Sequence, residues 1–190
     1  MRTFIAIELP ENIKGALAQL QEKLKAAKAD VKWVEPQNIH LTLKFLGEID
    51  EGKLEKIRKI LEDISGDNLA FQIRLGAVGA FPKMHFPRVL WVGIDKGDIE
   101  TRKIAAALEE KTAKIGIPKE ERAFSSHITI GRTKSDLNRQ QLVEGLKKME
   151  SNWEGKNLEF SVTKITLYKS TLGPGGPVYE ALKEATLKTA

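Results

Sequence analysis

The chain of 190 residues contains no cysteine. Structural disulfides, thiol catalysis and zinc or iron–sulfur sites with cysteine ligands are therefore excluded, and a reducing compartment is favoured. No run of apolar residues approaches the roughly 20 that a membrane-spanning helix needs. Residues 1–10 are not typical of a signal peptide, because their apolar run is short and Glu8 interrupts it. We therefore expect a cytoplasmic protein without a membrane partner.

A glycine-rich phosphate loop is also missing. The stretch at residues 173–177 contains two prolines and lacks the lysine that a P-loop requires, so it predicts a tight turn. Lysine and arginine total 31 against 26 for aspartate and glutamate, which gives a net charge of +5. This modest excess permits a polyanionic partner such as RNA. On charge alone, a soluble surface rich in lysine and glutamate is the simpler interpretation.

Apolar periodicity predicts a mixture of strands and single helices. Strands are predicted at residues 3–9, 31–34, 40–49, 69–78, 88–94, 126–132 and 158–170. Helices are predicted at residues 11–27, at 51–64 with Asp50 as the cap, and after the capping residues Asp98 and Ser135. Residues 79–87 are predicted to form a proline-containing loop, and residues 178–190 can be strand or helix. Helices that occur singly between groups of strands indicate an α+β fold with mostly antiparallel sheets.

Two short motifs share one pattern and one setting. His-Leu-Thr-Leu at residues 40–43 and His-Ile-Thr-Ile at residues 127–130 each lie in a predicted strand that is followed by a helix. They include two of the three histidines in the chain. Because side chains alternate along a strand, the His and Thr of each motif share one face, while the apolar residues point to the other. We interpret the duplication as two similar halves that face each other.

Paired histidines and threonines suit phosphate chemistry. An imidazole titrates near pH 6.5, so one copy can be neutral and the other charged, as a general base and a general acid require. Threonine hydroxyls on the same face can donate hydrogen bonds to an anion. A metal site would need three or four ligands, whereas each motif offers one, and carboxylate clusters for a two-metal site are missing nearby. The pattern predicts in-line phosphodiester cleavage by His40 and His127, with no metal and no cofactor.

The regions around both motifs resemble a known family. The similar blocks are residues 2–10, 33–48, 79–82, 87–91, 127–132, 167–170 and 176–179. They resemble the two-histidine phosphoesterases of the bacterial and archaeal 2′-5′ RNA ligase type, also called RNA 2′,3′-cyclic phosphodiesterases. The resemblance covers nearly the whole chain. It implies one domain over residues 1–190 with two pseudo-symmetric lobes, each an antiparallel sheet backed by helices, and a central active-site cleft.

The resemblance also implies an activity and a partner. The family opens a 2′,3′-cyclic phosphate at an RNA end to leave a 2′-phosphate. In the reverse direction it joins such an end to a 5′-hydroxyl without ATP, which makes a 2′-5′ bond. The expected partner is therefore RNA with 2′,3′-cyclic phosphate ends, with tRNA halves and tRNA processing as one setting. We expect the protein to be a monomer.

The resemblance also implies roles for individual residues at the matching motif positions. The resemblance implies that His127 takes a proton from water and that His40 protonates the departing 3′-oxygen. Thr42 and Thr129 hold the non-bridging oxygens. Arg132 can neutralise phosphate charge, but strict alternation puts it opposite His127, so a strand end or a bulge must turn it inward. The alternative for Arg132 is an ordinary surface arginine.

Other side chains are assigned by the alternation of their strands. Thr166, Tyr168 and Ser170 share one face; we predict that Tyr168 and Ser170 line the cleft, and that Tyr168 offers a stacking or hydroxyl contact. An ordinary half-buried strand is the alternative, and it is favoured for Thr166. Phe45 shares a face with core residues and is predicted to be core. Trp33 and Trp91 are predicted to pack rather than to act as base platforms, and His85 is predicted to be non-catalytic. For Lys83 and Arg88, beside the proline-containing loop, a solvated position is favoured and RNA contact is the alternative.

Two other functions stay open at this stage. One is a phosphodiesterase for a small cyclic phosphate, such as a cyclic nucleotide or a cyclic ADP-ribose phosphate, which a comparison of mononucleotide and oligonucleotide substrates would separate. The other is a module that binds RNA ends without turnover. Tight, salt-sensitive binding that leaves the cyclic ends unchanged would indicate that module.

Overall fold

The computed structural model describes residues 1–150 and 152–190, and it contains strands and helices in alternation. The strands are β1 Arg2–Glu8, β2 Val31–Trp33, β3 His40–Glu48, β4 Phe71–Lys83, β5 Phe86–Lys96, β6 His127–Thr133, β7 Glu159–Val162, β8 Lys164–Gly173 and β9 Gly176–Thr186. The helices are α1 Glu11–Lys25, α2 Glu51–Asp67, α3 Asp98–Ala113 and α4 Arg139–Met149, with a 3-10 helix at Pro36–Asn38. None of the helices in these two ranges is long and apolar enough to cross a membrane.

The strands form two antiparallel sheets. The first sheet has the order β3-β1-β8-β9, and the second has the order β2-β6-β5-β4-β7. The predicted α+β class with two antiparallel sheets backed by helices is confirmed. The halves are interlocked, however, because β2 joins the second sheet while β8 and β9 join the first. Each sheet therefore contains strands from both halves of the chain.

The helices cover the sheets with apolar stripes of the predicted spacing. The buried residues of α1 include Ile13, Leu17, Leu20 and Leu24, and those of α2 include Leu54, Ile57, Leu61 and Ile64. Helix α2 contacts β8 and β9, α3 contacts β3 and β5, and α4 contacts β4 and β5. Burial of each leucine or isoleucine contributes about 1.5–3 kcal/mol. The sheet faces opposite these helices remain available for a site.

The helix starts differ in part from the predicted ones. The side chain of Asp50 accepts a backbone hydrogen bond from α2 at 2.8 Å, as a cap does. Asp98 is the first residue of α3 rather than its cap, which is Gly97 with a φ of 89°. Helix α4 begins after Asn138, at a φ of 52°, and not after Ser135. Glycine and asparagine adopt this left-handed backbone more readily than other residues.

Two predicted segments are wrong in their extent. The strand predicted at residues 158–170 is two strands, because the chain crosses at Thr163 from β7 in the second sheet to β8 in the first. The loop predicted at residues 79–87 is mostly a β-hairpin, because β4 extends to Lys83 and β5 begins at Phe86. Prolines there lie near the hairpin end, where the ladder of hydrogen bonds is finishing. The undecided segment at residues 178–190 is strand as far as Thr186.

The buried side chain of Gln21 in α1 hydrogen-bonds to both motif regions. Its side chain is 2% exposed, and its Nε2 donates to the carbonyl oxygens of Val34 at 2.8 Å and Ile130 at 2.9 Å. Val34 follows β2, and Ile130 belongs to the second motif. One buried amide therefore links the segment before the first motif to the strand of the second.

We predict that Gln21→Leu lowers the free energy of unfolding by about 1–3 kcal/mol, because two buried carbonyls lose a donor while the volume is kept. Denaturant titration of the purified protein measures this. Gln140→Leu, at an exposed position on α4, is the matched control and should change the value by less than about 0.5 kcal/mol. Equal effects from both substitutions would contradict the prediction.

Candidate active site

The two predicted catalytic histidines begin two strands that contact each other. His40 is the first residue of β3 in the first sheet, and His127 is the first residue of β6 in the second. β3 and β6 meet where the two sheets come together. We call the sheet surfaces that carry these two side chains the histidine faces. The strand contact brings both motifs to one region of the molecule.

Both imidazoles are held by the same backbone contact. Nδ1 of His40 donates to the carbonyl of Asn38 at 2.7 Å, and Nδ1 of His127 donates to the carbonyl of Ser125 at 2.7 Å. A carbonyl oxygen can only accept, so the proton of each neutral ring lies on Nδ1. Nε2 is then the nitrogen that gains and loses a proton. In His40 it lies 2.9 Å from the hydroxyl oxygen of Thr42.

Aromatic rings hold the imidazole planes. His40 stacks on Phe4, with ring centroids 4.8 Å apart and planes at 27°, and Tyr179 meets it edge-on at 5.5 Å. His127 meets Phe81 edge-on at 5.2 Å. None of these three aromatics is a predicted site residue. Their contacts depend on strand pairings that no local pattern in the sequence encodes.

Burial and nearby cations lower the pKa of both imidazoles. Burial lowers the pKa of His40, the Asn38 carbonyl opposes this, and the charge of Lys14 lowers the pKa further. Burial likewise lowers the pKa of His127, with the Ser125 carbonyl opposing and Arg132 adding to the effect. We expected one neutral and one charged ring. Both pKa values are instead lowered from the usual 6.5, which favours the neutral form of each ring.

A bulge follows the second motif. Leu90 of β5 pairs with Gly131 and the next residue, Trp91, pairs with Thr129, so Ile130 is an extra residue in β6. The extra residue shifts the alternation by one position. Arg132 therefore lies on the histidine face with His127 and Thr129. Strict alternation would have put Arg132 on the face opposite His127, and the bulge puts it on the same face.

A second bulge occurs at the corresponding place in the first motif. Ile5 of β1 pairs with Lys44 and the next residue pairs with Thr42, so Leu43 is the extra residue in β3. Phe45 is consequently 56% exposed, with its ring centroid 6.3 Å from that of Phe4 on the histidine face. The prediction that Phe45 is core is wrong, because the bulge changes which face it occupies.

Lys44 points away from the histidine face. It is 2% exposed, its Nζ lies 2.6 Å from a carboxylate oxygen of Glu109, and it donates to the carbonyl of Pro118 at 2.9 Å. Pro118 begins the segment that leads to Ser125 and His127. The bulge therefore also directs a lysine to the other side of the sheet, where it anchors the chain that enters the second motif.

Three further predicted residues lie on β8 of the first sheet. Tyr168 stacks on Phe4 at 5.3 Å, and burial raises its pKa, so its hydroxyl is neutral. Ser170 is half-buried and pairs with Tyr179 of β9. Thr166 is fully buried, in agreement with the structural alternative given above for it. Tyr168 and Ser170 remain accessible beside the aromatic cluster.

Tyr179 of β9 lies at the site in the first sheet, beside His40. Its ring edge contacts His40 and Phe4 of the first sheet. Burial raises the pKa of Tyr179, while the charges of Arg2 and of Arg132 in the second sheet lower it. The hydroxyl is therefore neutral and lies near cations from both sheets.

His85 and Arg88 lie in and beside the β4–β5 turn. His85 is in the β4–β5 turn and lines a surface cavity with Asp136 and Arg139. Arg88 lies 3.7 Å from Asp136 and stacks on Phe86 at 4.7 Å. Within residues 1–150 and 152–190, no group of three or more histidines, aspartates or glutamates is arranged to hold a metal ion.

Comparison with known proteins gives the family. The model of the LigT like Phosphoesterase family matches residues 7–91 and 93–179, and each segment contains one of the two motifs. The RNA 2′,3′-cyclic phosphodiesterase of Methanocaldococcus jannaschii is 40% identical over 184 residues, which cover 97% of this chain and 99% of that protein.

Solved structures show the same likeness over the whole fold. The crystal structure of TT0787 of Thermus thermophilus has a TM-score of 0.82 and 29% identity, and the match covers 98% of each chain. The crystal structure of E. coli LigT complexed with 3′-AMP has a TM-score of 0.77 and 27% identity, over 98% of this chain and 97% of that one. The resemblance inferred from the two motifs is confirmed: the chain belongs to the LigT like phosphoesterase family.

Proposed function

We propose that this protein hydrolyses 2′,3′-cyclic phosphates at RNA ends to 2′-phosphates, with His40 and His127 as the proton carriers. The observation that carries the proposal is the matched pair of imidazoles on contacting strands. Each has Nδ1 tied to the carbonyl two residues before it, and each has Nε2 available for proton transfer. The name of the 40% identical relative supports the same substrate class.

The reaction is a single in-line displacement at phosphorus. Nε2 of neutral His127 accepts a proton from water while the water oxygen forms a bond to phosphorus. The bond from phosphorus to the 3′-oxygen breaks, and protonated Nε2 of His40 donates its proton to that oxygen. The product carries a 2′-phosphate and a 3′-hydroxyl. His127 ends protonated and His40 neutral, and exchange with solvent restores the starting forms.

The substrate supplies the charge that the free site lacks. A phosphate anion close to an imidazole favours its charged form, which offsets the burial that lowers the pKa of His40. Once His40 is protonated, its Nε2 no longer accepts from Thr42, so that hydroxyl can donate to a non-bridging oxygen. Thr129 takes the same role beside His127, and Arg132 neutralises the remaining charge.

Exposed aromatic surface supports a nucleotide substrate. Phe45 presents an accessible ring beside Phe4, and Tyr168 and Ser170 lie on the same sheet face. Stacking of a base on an aromatic side chain is worth about 1–3 kcal/mol. A 5′-hydroxyl that replaces the attacking water would form a 2′-5′ bond by the same proton transfers. We include this ligation, without ATP, in the proposal.

Several broader predictions stay attached to the proposal. They are that residues 1–190 act as one two-lobed domain, that the protein is a cytoplasmic monomer, that tRNA halves are among its substrates, and that it needs no metal or cofactor. The cytoplasmic location is inferred from the cysteine-free composition, and the other predictions follow from the resemblance or from the motif chemistry. Size-exclusion chromatography tests the monomer, and the assay below tests metal independence.

We predict that the purified protein converts an oligonucleotide with a 2′,3′-cyclic phosphate into the 2′-phosphate in the presence of EDTA. His40→Ala and His127→Ala should each reduce kcat by about 10²–10⁴-fold, because each removes one proton carrier. His85→Ala is the matched control and should leave kcat unchanged. A 3′-phosphate product, dependence on a metal, or full activity in either variant would contradict the proposal.

A sulfur substrate separates the acid from the base. A cyclic phosphate with sulfur in place of the 3′-oxygen has a leaving group that needs no proton. We predict that this substrate restores turnover to His40→Ala but not to His127→Ala. The opposite rescue would reverse the two roles while keeping the two-histidine mechanism.

The pH dependence follows from the direction of the pKa shifts. Because both free imidazoles have a pKa below 6.5, kcat/KM should follow a bell with its maximum below pH 6.5. The profile of kcat should lie at higher pH, since bound phosphate raises both values. Lys14→Gln and Arg132→Gln each remove a charge that lowers one histidine pKa, so each should move a different limb to higher pH. If neither limb moves, the assignment of these charges is wrong.

A further inference from the structure

Lys32 and Arg132 form a pair of like charges across neighbouring strands. The two residues lie directly opposite each other in the β2–β6 ladder, and both are exposed. In the part of the chain that the structure describes, neither has a carboxylate within ion-pairing distance, whereas Lys134 beyond β6 lies 3.8 Å from Asp30. Like charges directly opposite each other in a sheet are destabilising. An anion bound between them would remove this cost.

The pair lies on the same face as His127. The bulge in β6 turns Arg132 to that histidine face, and side chains directly opposite in a ladder point to the same side. The other side is occupied, because a Cβ at Gly131 would come within 2.9 Å of Val31 and 3.0 Å of Trp33. Lys32, which lies between Val31 and Trp33 in β2, therefore faces the substrate side. Since β2 is the edge strand, Lys32 is at the open rim.

The spacing separates Lys32 from the reacting phosphate. His127 pairs with Gly93 and Arg132 pairs with Val89, so the two positions are four residues apart along β5, which is about 13 Å. The charge of Arg132 still reaches His127, because it contributes to lowering that pKa. Lys32 lies on the next strand, directly opposite Arg132, and is therefore farther from His127 than Arg132 is. It therefore lies beyond the phosphate held by the histidines.

We propose that Lys32 binds the phosphodiester on the 5′ side of the terminal nucleotide, with Arg132 lying between this phosphate and the cyclic one. The inference rests on the proposed function and adds a second phosphate site to it. The enzyme then recognises an RNA end by two phosphates, the cyclic one between the imidazoles and the next one along the strand at the rim of the second sheet. A dinucleotide should be the shortest substrate to use the full site.

Three substrates isolate the second phosphate. They are adenosine 2′,3′-cyclic phosphate, the ApA dinucleotide with the same cyclic end, and that dinucleotide with a neutral methylphosphonate as its internal link. Lys32→Gln should lower kcat/KM about threefold to tenfold on the charged dinucleotide and leave the other two unchanged. The slope of log kcat/KM against log salt concentration should fall by about 0.7 for that substrate alone.

Lys147→Gln is the matched control, because Lys147 is an exposed lysine on α4 and the substitution changes the net charge equally. It should leave all three substrates unaffected. Equal losses of Lys32→Gln on all substrates, or no loss on any, would overturn the inference while leaving the phosphodiesterase proposal intact.

Failure of the wild type on all three substrates would instead reject the proposed function. In that case calorimetry with ApA ending in a 2′-phosphate and with adenosine 2′-phosphate tests the second site alone. Weaker binding of Lys32→Gln to the dinucleotide only supports the site, and equal binding by wild type and variant overturns it.

Discussion

The carbonyl oxygens of Asn38 and Ser125 determine how the whole site can work. By accepting the Nδ1 proton at 2.7 Å, each fixes the ring orientation and leaves Nε2 as the proton-exchanging atom. The Asn38 carbonyl is itself positioned by two remote contacts. The side-chain amide of Asn38 donates to the Pro177 carbonyl at 2.9 Å. Buried Lys14 donates from Nζ to the neighbouring Gln37 carbonyl at 3.1 Å. The orientation of one imidazole thus depends on a helix and a hairpin distant in sequence.

The two bulges explain how a nearly symmetric scaffold provides an asymmetric site. In each motif strand one extra residue follows the threonine, and the same shift brings a later side chain to the histidine face. In the first strand that side chain is Phe45, and in the second it is Arg132. The same backbone irregularity therefore gives one side of the site a flat apolar ring and the other side a positive charge.

Periodic features were predictable from the sequence, and features that depend on pairing were not. The helical stripes, the duplicated motif and the α+β class follow from local patterns that the fold retains. The crossing at Thr163 was missed because the change of apolar phase there, from Phe160 and Val162 to Ile165 and Leu167, is the same signal that a bulge within one strand gives. Phe45 was misplaced because a bulge reverses the phase of alternation. The contacts of Phe4, Phe81 and Tyr179 with the histidines require the ladders to be known first.

The exchange of strands between the halves also limits motion. β2 belongs by sequence to the first half but completes the second sheet, and β8 leaves the second half to pair with β1. Rotation of one sheet away from the other would pull on both crossings and strain backbone hydrogen bonds. We therefore expect the space between the histidine faces to be preformed, so that a ligand enters it without hinge closure. Discrimination between ligands then depends on the shape and charge of that space before binding.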